Sequence, residues 1–133
     1  MKHKMYCIFA KESVQKMNGI RGKMCTQAGH AYLHAFWDAE RRFPSYYGGL
    51  GGDYISDADH YKKSDHAYKI TLIVDTVDEL KALQEAYKNV CGTALVTDAG
   101  FTVFNEPTTT CLGIGPIRED KIGEDLKALK TFT

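Results

Sequence analysis

The sequence lacks a long apolar segment, an excess of either charge, and a closely spaced pair of cysteines. Its longest apolar run, residues 5–10, is far shorter than the roughly 18 residues of a membrane helix and shorter than the core of a signal peptide. Seventeen basic and seventeen acidic residues cancel, so the chain as a whole has no attraction for nucleic acid. The four cysteines lie far apart, which is typical of reduced thiols. We therefore expect a cytoplasmic protein without a membrane segment.

The length and composition indicate one globular domain. The chain has 133 residues, of which 44% are hydrophobic and 26% charged, and these values are ordinary for a domain with its own core. Short apolar runs alternate with segments of helical periodicity. They predict strands at 5–10, 67–74, 94–97 and 108–114, and helices at 23–42, 75–89 and 119–130. This alternation predicts an α/β fold whose mixed sheet has helices on both faces.

One segment between these elements is too long for an ordinary connection. Residues 43–66 contain four glycines and four tyrosines, and structureless loops of more than about 15 residues are usually functional or disordered. The glycines do not form a phosphate-binding loop, because the required Gly-Lys-Ser/Thr ending is missing and the segment follows a helix. We predict a long, mobile loop here, with a possible role as a lid, inserted in a single domain that spans residues 1–133.

Charge is unevenly distributed along the chain. Residues 1–23 contain six basic residues and only Glu12 as an acid, and Arg41 and Arg42 form a further basic pair. This pattern is compatible with a local basic face that binds phosphates. It is equally compatible with lysines scattered over a solvated surface, because sequence distance does not define spatial clustering.

Polar side chains form a narrow stripe on the first long predicted helix. At 100° per residue, Lys23, Gln27, His30 and His34 fall within about 60° of one another. This composition resembles the wall of a cleft, although a partly exposed polar face is the alternative. The two histidines have the spacing of metal ligands, but Ala31 stands where zinc hydrolases of that class carry a glutamate. We therefore predict no metal site.

Two further motifs follow predicted strands. The segment Thr97-Asp98-Ala99-Gly100-Phe101-Thr102 places a carboxylate and small residues where ligands bind in open sheets. An isolated Asp-Ala-Gly is otherwise only a turn. The second motif, Leu-Gly-Ile-Gly-Pro at residues 112–116, is an apolar strand end followed by glycine turns.

Together these motifs resemble the archaeal and eukaryotic type of peptidyl-tRNA hydrolase. The family's Gly-Lys-x-x-x-Gln-x-x-His-Ala corresponds to residues 22–31, its Asp-Ala-Gly-x-Thr to residues 98–102, and its Leu-Gly-Ile-Gly-Pro to residues 112–116. Gly29 and Phe101 depart from the family pattern. The resemblance implies a three-layer sandwich with a mixed four-stranded sheet, usually as a homodimer. It also implies hydrolysis of the ester that joins a peptide to the tRNA 3′ end, without a cofactor.

Hydrolysis of this ester needs an activated water and a donor or cation for the developing oxyanion. We expect Asp98 to hold the water, Gln27 to orient it, and Lys23 to neutralise the oxyanion or hold the terminal phosphate. Thr102 and backbone donors near Ala99 and Gly100 would complete the site. His30 would act as a hydrogen-bonding partner behind these groups or hold the helix against the strand.

Substrate recognition would depend on phosphate contacts from Arg21, Arg41 and Arg42, because phosphates position a nucleic acid without reading its sequence. Tyrosines 46, 47, 54 and 61 could stack on unpaired bases or pack against one another within their own loop. The sequence is also compatible with two other functions, which are hydrolysis of a smaller ester or amide and binding of a ligand without catalysis.

Overall fold

A computed structural model describes residues 2–100 and 104–133 of the chain. The predicted site residue Thr102 and its neighbour Phe101 lie outside these ranges. The strands of the described residues are β1 (His3–Ala10), β2 (Tyr46–Gly49), β3 (Gly52–Tyr54), β4 (Lys69–Val74), β5 (Thr93–Asp98), β6 (Thr108–Arg118) and β7 (Lys130–Thr131). The helices are α1 (Lys11–Lys16), α2 (Arg21–Arg42), α3 (Asp57–Lys63), α4 (Val77–Tyr87) and α5 (Glu124–Lys127), with a 3₁₀ turn at Glu119–Lys121.

Five of the strands form one mixed sheet in the order β5-β6-β1-β4-β7. Strands β1 and β4 are parallel, whereas β1 and β6, β5 and β6, and β4 and β7 are antiparallel. The predicted mixed sheet is therefore confirmed, but it has five strands where four were expected. The additional strand β7 contributes two residues beside β4, too few to produce a recognisable sequence pattern.

Helices cover both faces of this sheet, which confirms the predicted three-layer sandwich. Alternate residues of β1 point to opposite faces, as the pleat requires. Tyr6 and Ile8 belong to the core on the α4 side, whereas Cys7 and Phe9 belong to the core on the α2 side. Helix α4 begins at a Thr76 cap, whose hydroxyl accepts a hydrogen bond from the Glu79 amide.

Close contact between α2 and the sheet depends on small residues. Ala31 and Ala35 are fully buried on the inner side of α2. A Cβ atom at Gly113 of β6 would lie 2.0 Å from the Ala31 carbonyl oxygen, and one at Gly92 would lie 2.2 Å from the Ala35 carbonyl oxygen. The first glycine of the Leu-Gly-Ile-Gly-Pro motif therefore allows the helix to approach the sheet at backbone distance.

Two sequence predictions need correction. The segment 43–66 is not structureless, because it contains the β2-β3 hairpin and α3, whose Ala58 and Tyr61 are buried. The predicted helix at 119–130 is divided into a 3₁₀ turn and the four-residue α5, followed by β7. Gly123, immediately before α5, interrupts the helical pattern. The short helix α1 was not predicted.

Candidate active site

Lys23 and Asp98 form an ion pair between two elements that are distant in sequence. Lys23 lies in the first turn of α2, and Asp98 is the last residue of β5. The ammonium nitrogen of Lys23 contacts Asp98 Oδ2, and the two side chains are 16% and 10% exposed. The structure therefore brings the ammonium and the carboxylate together. Both side chains are mostly buried, and a small part of each remains accessible to solvent.

Three donors from the described part of the chain bind the Asp98 carboxylate. Besides Lys23, the side-chain amide of Gln27 donates to Oδ2 across 3.2 Å, and the backbone amide of Gly100 donates to Oδ1 across 2.8 Å. The hydrogen bond from Lys23, followed by that from Gly100, holds the pKa of the Asp98 carboxyl below its ordinary value of 3.8. At neutral pH the site therefore presents a carboxylate that is a weak base and a strong acceptor.

Thr110 fixes the orientation of the Gln27 amide. Its hydroxyl donates to Gln27 Oε1 across 2.7 Å, so the amide nitrogen faces Asp98. Both side chains are buried, at 0% and 2% exposure, and Cys111 Sγ also donates to the Gln27 carbonyl oxygen across 3.5 Å. Thr110 was not among the predicted site residues. It is one of three consecutive threonines at the start of β6, and nothing in the sequence distinguishes it from the other two.

The turn after β5 requires glycine at position 100. Gly100 has a φ of +86°, and a Cβ atom there would lie 2.6 Å from the carbonyl carbon of Glu106. The turn brings the Gly100 amide to the Asp98 carboxylate, which supports the predicted backbone donor at this position. Ala99 is exposed beside it, and the structure gives it no polar contact to Asp98 within the residues described.

His30 and His34, the other two members of the predicted polar stripe, do not contact Asp98 in the described part of the chain. His30 and His34 are exposed, their ring centroids lie 5.7 Å apart, and the His34 ring stacks on Trp37 at 5.4 Å. Within the described part of the chain, His30 has no hydrogen bond to Asp98 and does not hold α2 against β5. Gly113 and Thr110 of the neighbouring strand β6 hold α2 against the sheet instead, the first by allowing close approach and the second by a hydrogen bond to Gln27.

The three predicted phosphate-binding arginines lie at opposite ends of α2. Arg21 is exposed at its first position, close to Lys23 in sequence. Arg41 lies 18 residues beyond Lys23, or about 27 Å along the helix axis. It pairs with Asp38, as does Arg42, which also donates to the carbonyl oxygens of Lys88 and Cys91. Arg42 thus fastens α2 to the loop before β5, and neither Arg41 nor Arg42 shares a site with Lys23.

The tyrosines of residues 43–66 divide into two groups. The rings of Tyr46 and Tyr54 stack on each other with centroids 5.1 Å apart, and Tyr61 is buried and donates to the Tyr68 carbonyl oxygen. Each of these three tyrosines therefore has a partner within the protein. Tyr47 is 66% exposed, and its ring stacks on no other described ring.

Residues that could hold a metal are not grouped in the described ranges 2–100 and 104–133. No cluster of three histidine, cysteine, aspartate or glutamate side chains has a suitable arrangement there. The four cysteines are free thiols. None of the helices in these ranges is long and apolar enough to cross a membrane.

Comparison with known proteins gives a consistent result. A family model described as peptidyl-tRNA hydrolase PTH2 matches residues 4–132. The chain is 32% identical over 111 residues to the peptidyl-tRNA hydrolase of Methanococcus vannielii, covering 83% of this chain and 85% of the relative. It is 34% identical over 103 residues to that of Methanopyrus kandleri, covering 77% and 78%. Because the family model matches nearly the whole chain, and the motif residues come together in the structure, the chain belongs to the peptidyl-tRNA hydrolase PTH2 family.

Proposed function

We propose that the protein hydrolyses the ester bond between a peptide and the 3′-terminal ribose of tRNA. The observation that carries this proposal is the cluster of Lys23, Gln27 and Asp98 at the carboxyl end of β5. An ester hydrolase that acts through water needs a water-binding acceptor and a cation in one shielded place. The family match over residues 4–132 and the names of the relatives support the substrate.

Asp98 would position the attacking water rather than deprotonate it alone. Its lowered pKa makes the carboxylate a weak base, so its main contribution is to accept a hydrogen bond from the water and align it with the ester carbon. Among the described residues, Oδ2 accepts from Lys23 and Gln27, whereas Oδ1 accepts from the Gly100 amide alone. The second lone pair of Oδ1 is therefore the acceptor that we assign to the water.

Lys23 would stabilise the negative charge that forms on the carbonyl oxygen. The attack of water produces a tetrahedral oxyanion, whose collapse breaks the bond to the ribose oxygen. That oxygen takes up a proton, so the products are a peptide carboxylate, a tRNA hydroxyl and one proton. An ammonium held by Asp98 at the start of α2 costs little reorganisation when the charge develops, which is the basis of electrostatic catalysis.

The surroundings of the cluster offer a place for the tRNA end. A cavity of about 320 Å³ lies beside it, lined by Lys16 and Phe104 among others. The cavity also includes Thr108, which pairs with Asp98 across β5 and β6. The exposed Lys16 is the cation on this wall that could bind a terminal phosphate. We assign this cavity to the 3′-terminal nucleotide, with Arg21 as a further phosphate contact and Thr102 as a site residue by family resemblance.

We propose that the protein is a homodimer and that it functions in the cytoplasm. The exposed side of α2 carries Leu33 and Trp37, which are 46% and 52% exposed, and a second copy of the chain would cover this apolar surface. Light scattering on Trp37→Ser would test the assignment. A monomeric variant beside a dimeric parent supports it, and a monomeric parent contradicts it. The cytoplasmic location follows from the substrate and from the four free thiols.

The test of the activity is release of N-acetylaminoacyl groups from tRNA by the purified protein. We expect Asp98→Asn and Lys23→Met each to lower kcat/KM by at least about 100-fold with unchanged folding, as for removal of one oxyanion donor. The parent's kcat/KM should also fall steeply with salt, because phosphate contacts release counterions. The proposal would be contradicted if the protein did not hydrolyse peptidyl-tRNA but hydrolysed a small neutral ester at a rate independent of salt.

A further inference from the structure

A second cavity lies at the end of the sheet opposite to the Lys23-Asp98 pair. Its volume is about 720 Å³, within the range of small-ligand sites. Strand β6 connects the two regions, because Thr108 pairs with Asp98 at one end and Arg118 lines the second cavity at the other. Ten residues of strand separate them, or about 33 Å, so one small ligand cannot contact both.

The wall of this cavity is rich in positive and imidazole groups. Lys2, Arg118 and Lys121 line it, against the two carboxylates Asp57 and Glu119. Three histidines, His3, His60 and His66, add donors to the same wall. Arg118 pairs with Asp120 across 2.8 Å, so Lys2 and Lys121 are the cations of the wall that favour an anionic ligand.

Both carboxylates on the wall are already bound by cations or donors. Asp57 Oδ1 lies 2.9 Å from His3 Nε2, and Glu119 Oε2 lies 3.6 Å from Lys4 Nζ. The side chains of His60, His66 and Lys121 form no hydrogen bond or ion pair with another described residue. Their N–H groups are therefore the donors that remain for a ligand.

Two of the three histidines, His3 and His60, are held in place by contacts with other side chains. His3 is 9% exposed, and its contact with Asp57 joins β1 to α3. The ring of His60 stacks on that of His3 with centroids 5.2 Å apart and planes inclined by 17°. A donor in a fixed orientation loses little conformational entropy on binding, which is the condition for a specific site.

Aromatic rings complete the cavity. Tyr54 of the β2-β3 hairpin and Tyr68 line it, and Lys2 Nζ lies 5.2 Å from the centroid of the Tyr68 ring. Inorganic phosphate would occupy only part of a volume of about 720 Å³. Rings beside cations are typical of sites that bind a base together with its phosphate.

We propose that this cavity, formed by α3, the Tyr54 hairpin and the Arg118 end of β6, binds a nucleotide through its phosphate group. A free nucleotide and an unpaired nucleotide of RNA both have a phosphate group and a base that could occupy the cavity. The proposal does not depend on the ester hydrolase activity, because it uses none of the residues of the Lys23-Asp98 cluster.

The experiment is an NMR titration of the full chain with adenosine monophosphate at constant ionic strength, with sodium chloride as the reference titrant. We expect saturable amide shifts around His60, Ser64 and Lys121. Lys121→Gln and His60→Gln should each weaken the affinity by about fivefold, as expected for loss of one exposed charged or hydrogen-bonding contact. The matched control Lys127→Gln removes an exposed lysine of α5, outside the cavity wall, and should leave the affinity unchanged.

Competition with tRNA then distinguishes the two sources of the phosphate. Displacement of adenosine monophosphate from the site by tRNA would assign it to RNA, and retention would assign it to a free nucleotide. Asp98→Asn should leave the titration unchanged, so failure of the hydrolase proposal and failure of this one are separable. The absence of saturable shifts, or equal affinities of the parent and of Lys121→Gln and His60→Gln, would overturn the proposal.

Discussion

The hydroxyl of Thr110 donates to Gln27 Oε1 across 2.7 Å and thereby determines which end of that amide faces Asp98. An amide group has a donor end and an acceptor end of nearly equal size. If the oxygen of Gln27 faced the carboxylate, the contact would be repulsive. A buried residue that makes no contact with Asp98 thus controls the polarity of the site, and it does so from the neighbouring strand β6.

Thr110→Val should lower kcat for peptidyl-tRNA hydrolysis by about tenfold, because one oriented hydrogen bond is lost. KM should change little, since Thr110 is buried and does not meet the substrate. Thr110→Ser retains the hydroxyl and should restore kcat. Thr109→Val is the matched control, because the Thr109 hydroxyl contacts Thr97 instead of Gln27. Equal kcat values for Thr110→Val and the control would contradict this role.

The stability contributed by Asp98 should depend on pH in a defined direction. Its pKa is lower in the folded chain than the ordinary value of 3.8, so its contribution is complete above that value and is lost as pH falls through the folded-state pKa. The difference in unfolding free energy between the parent and Asp98→Asn should thus stay constant above about pH 5 and shrink below about pH 4. Urea denaturation at a series of pH values measures it.

The same pKa shift makes a prediction for activity. The parent should keep its carboxylate, and hence its kcat, down to a pH below that of an ordinary aspartate. In Lys23→Met the largest cause of the lowered pKa is removed, so the acid limb of the residual activity should move to higher pH. An acid limb at the same pH in both proteins would show that Lys23 does not control the ionisation of Asp98.

Gly113→Ala should destabilise the fold by about 3 kcal/mol, the cost of overpacking a contact that cannot relax. The added Cβ atom would lie 2.0 Å from the Ala31 carbonyl oxygen, which belongs to the helix backbone. Gly29→Ala is the matched control, because no atom lies within 4 Å of a Cβ there. It should stabilise α2 by about 0.5 to 1 kcal/mol. Thermal or urea unfolding that ranks the two variants in the opposite order would contradict the packing argument.

Asp38→Ala should destabilise the protein by about 3 kcal/mol, because it leaves a buried amide and a guanidinium without their acceptor. Asp38 Oδ2 accepts from the Thr93 amide across 3.0 Å and pairs with Arg42 across 2.7 Å. Burial raises the pKa of Asp38, but the Arg42 and Thr93 hydrogen bonds outweigh it and leave the pKa lowered. Urea unfolding of Asp38→Ala beside Asp65→Ala, which removes an exposed carboxylate, measures the effect. A similar loss in both variants would refute it.

Much of the fold could be predicted from the sequence where periodicity was long and regular. The predicted helix at 23–42 corresponds to α2 (Arg21–Arg42), and the strand at 108–114 to the first part of β6 (Thr108–Arg118). Predictions were wrong where local patterns were short or ambiguous. Strand β7 has two residues, and the hairpin of residues 46–54 is rich in glycine, so neither had the alternation that identifies a strand.

The site shows the same division. Lys23, Gln27 and Asp98 could be identified because family motifs mark them in the chain. The Asp38–Arg42 ion pair has i,i+4 spacing within α2, which the sequence already displays. The bonds from Arg42 to the Lys88 and Cys91 carbonyl oxygens, and from the Thr93 amide to Asp38, could not be anticipated, because the end of α2 and the loop before β5 meet only in three dimensions. His30 shares the stripe of Lys23 but lies two turns further along α2, where its side chain is exposed and faces His34 instead of Asp98.

The amino-acid sequence by itself determined the alternation of strands and helices, the small residues that let α2 approach the sheet, and the chemical types at the Lys23-Asp98 cluster. These properties depend on local periodicity and side-chain identity. Tertiary structure alone decided that Thr110 orients Gln27, that Asp38 accepts a hydrogen bond from the Thr93 amide, and that α3 lines a cavity far from Asp98. Each of these contacts joins residues more than 50 positions apart or depends on a sheet register, and neither property is encoded in neighbouring residues.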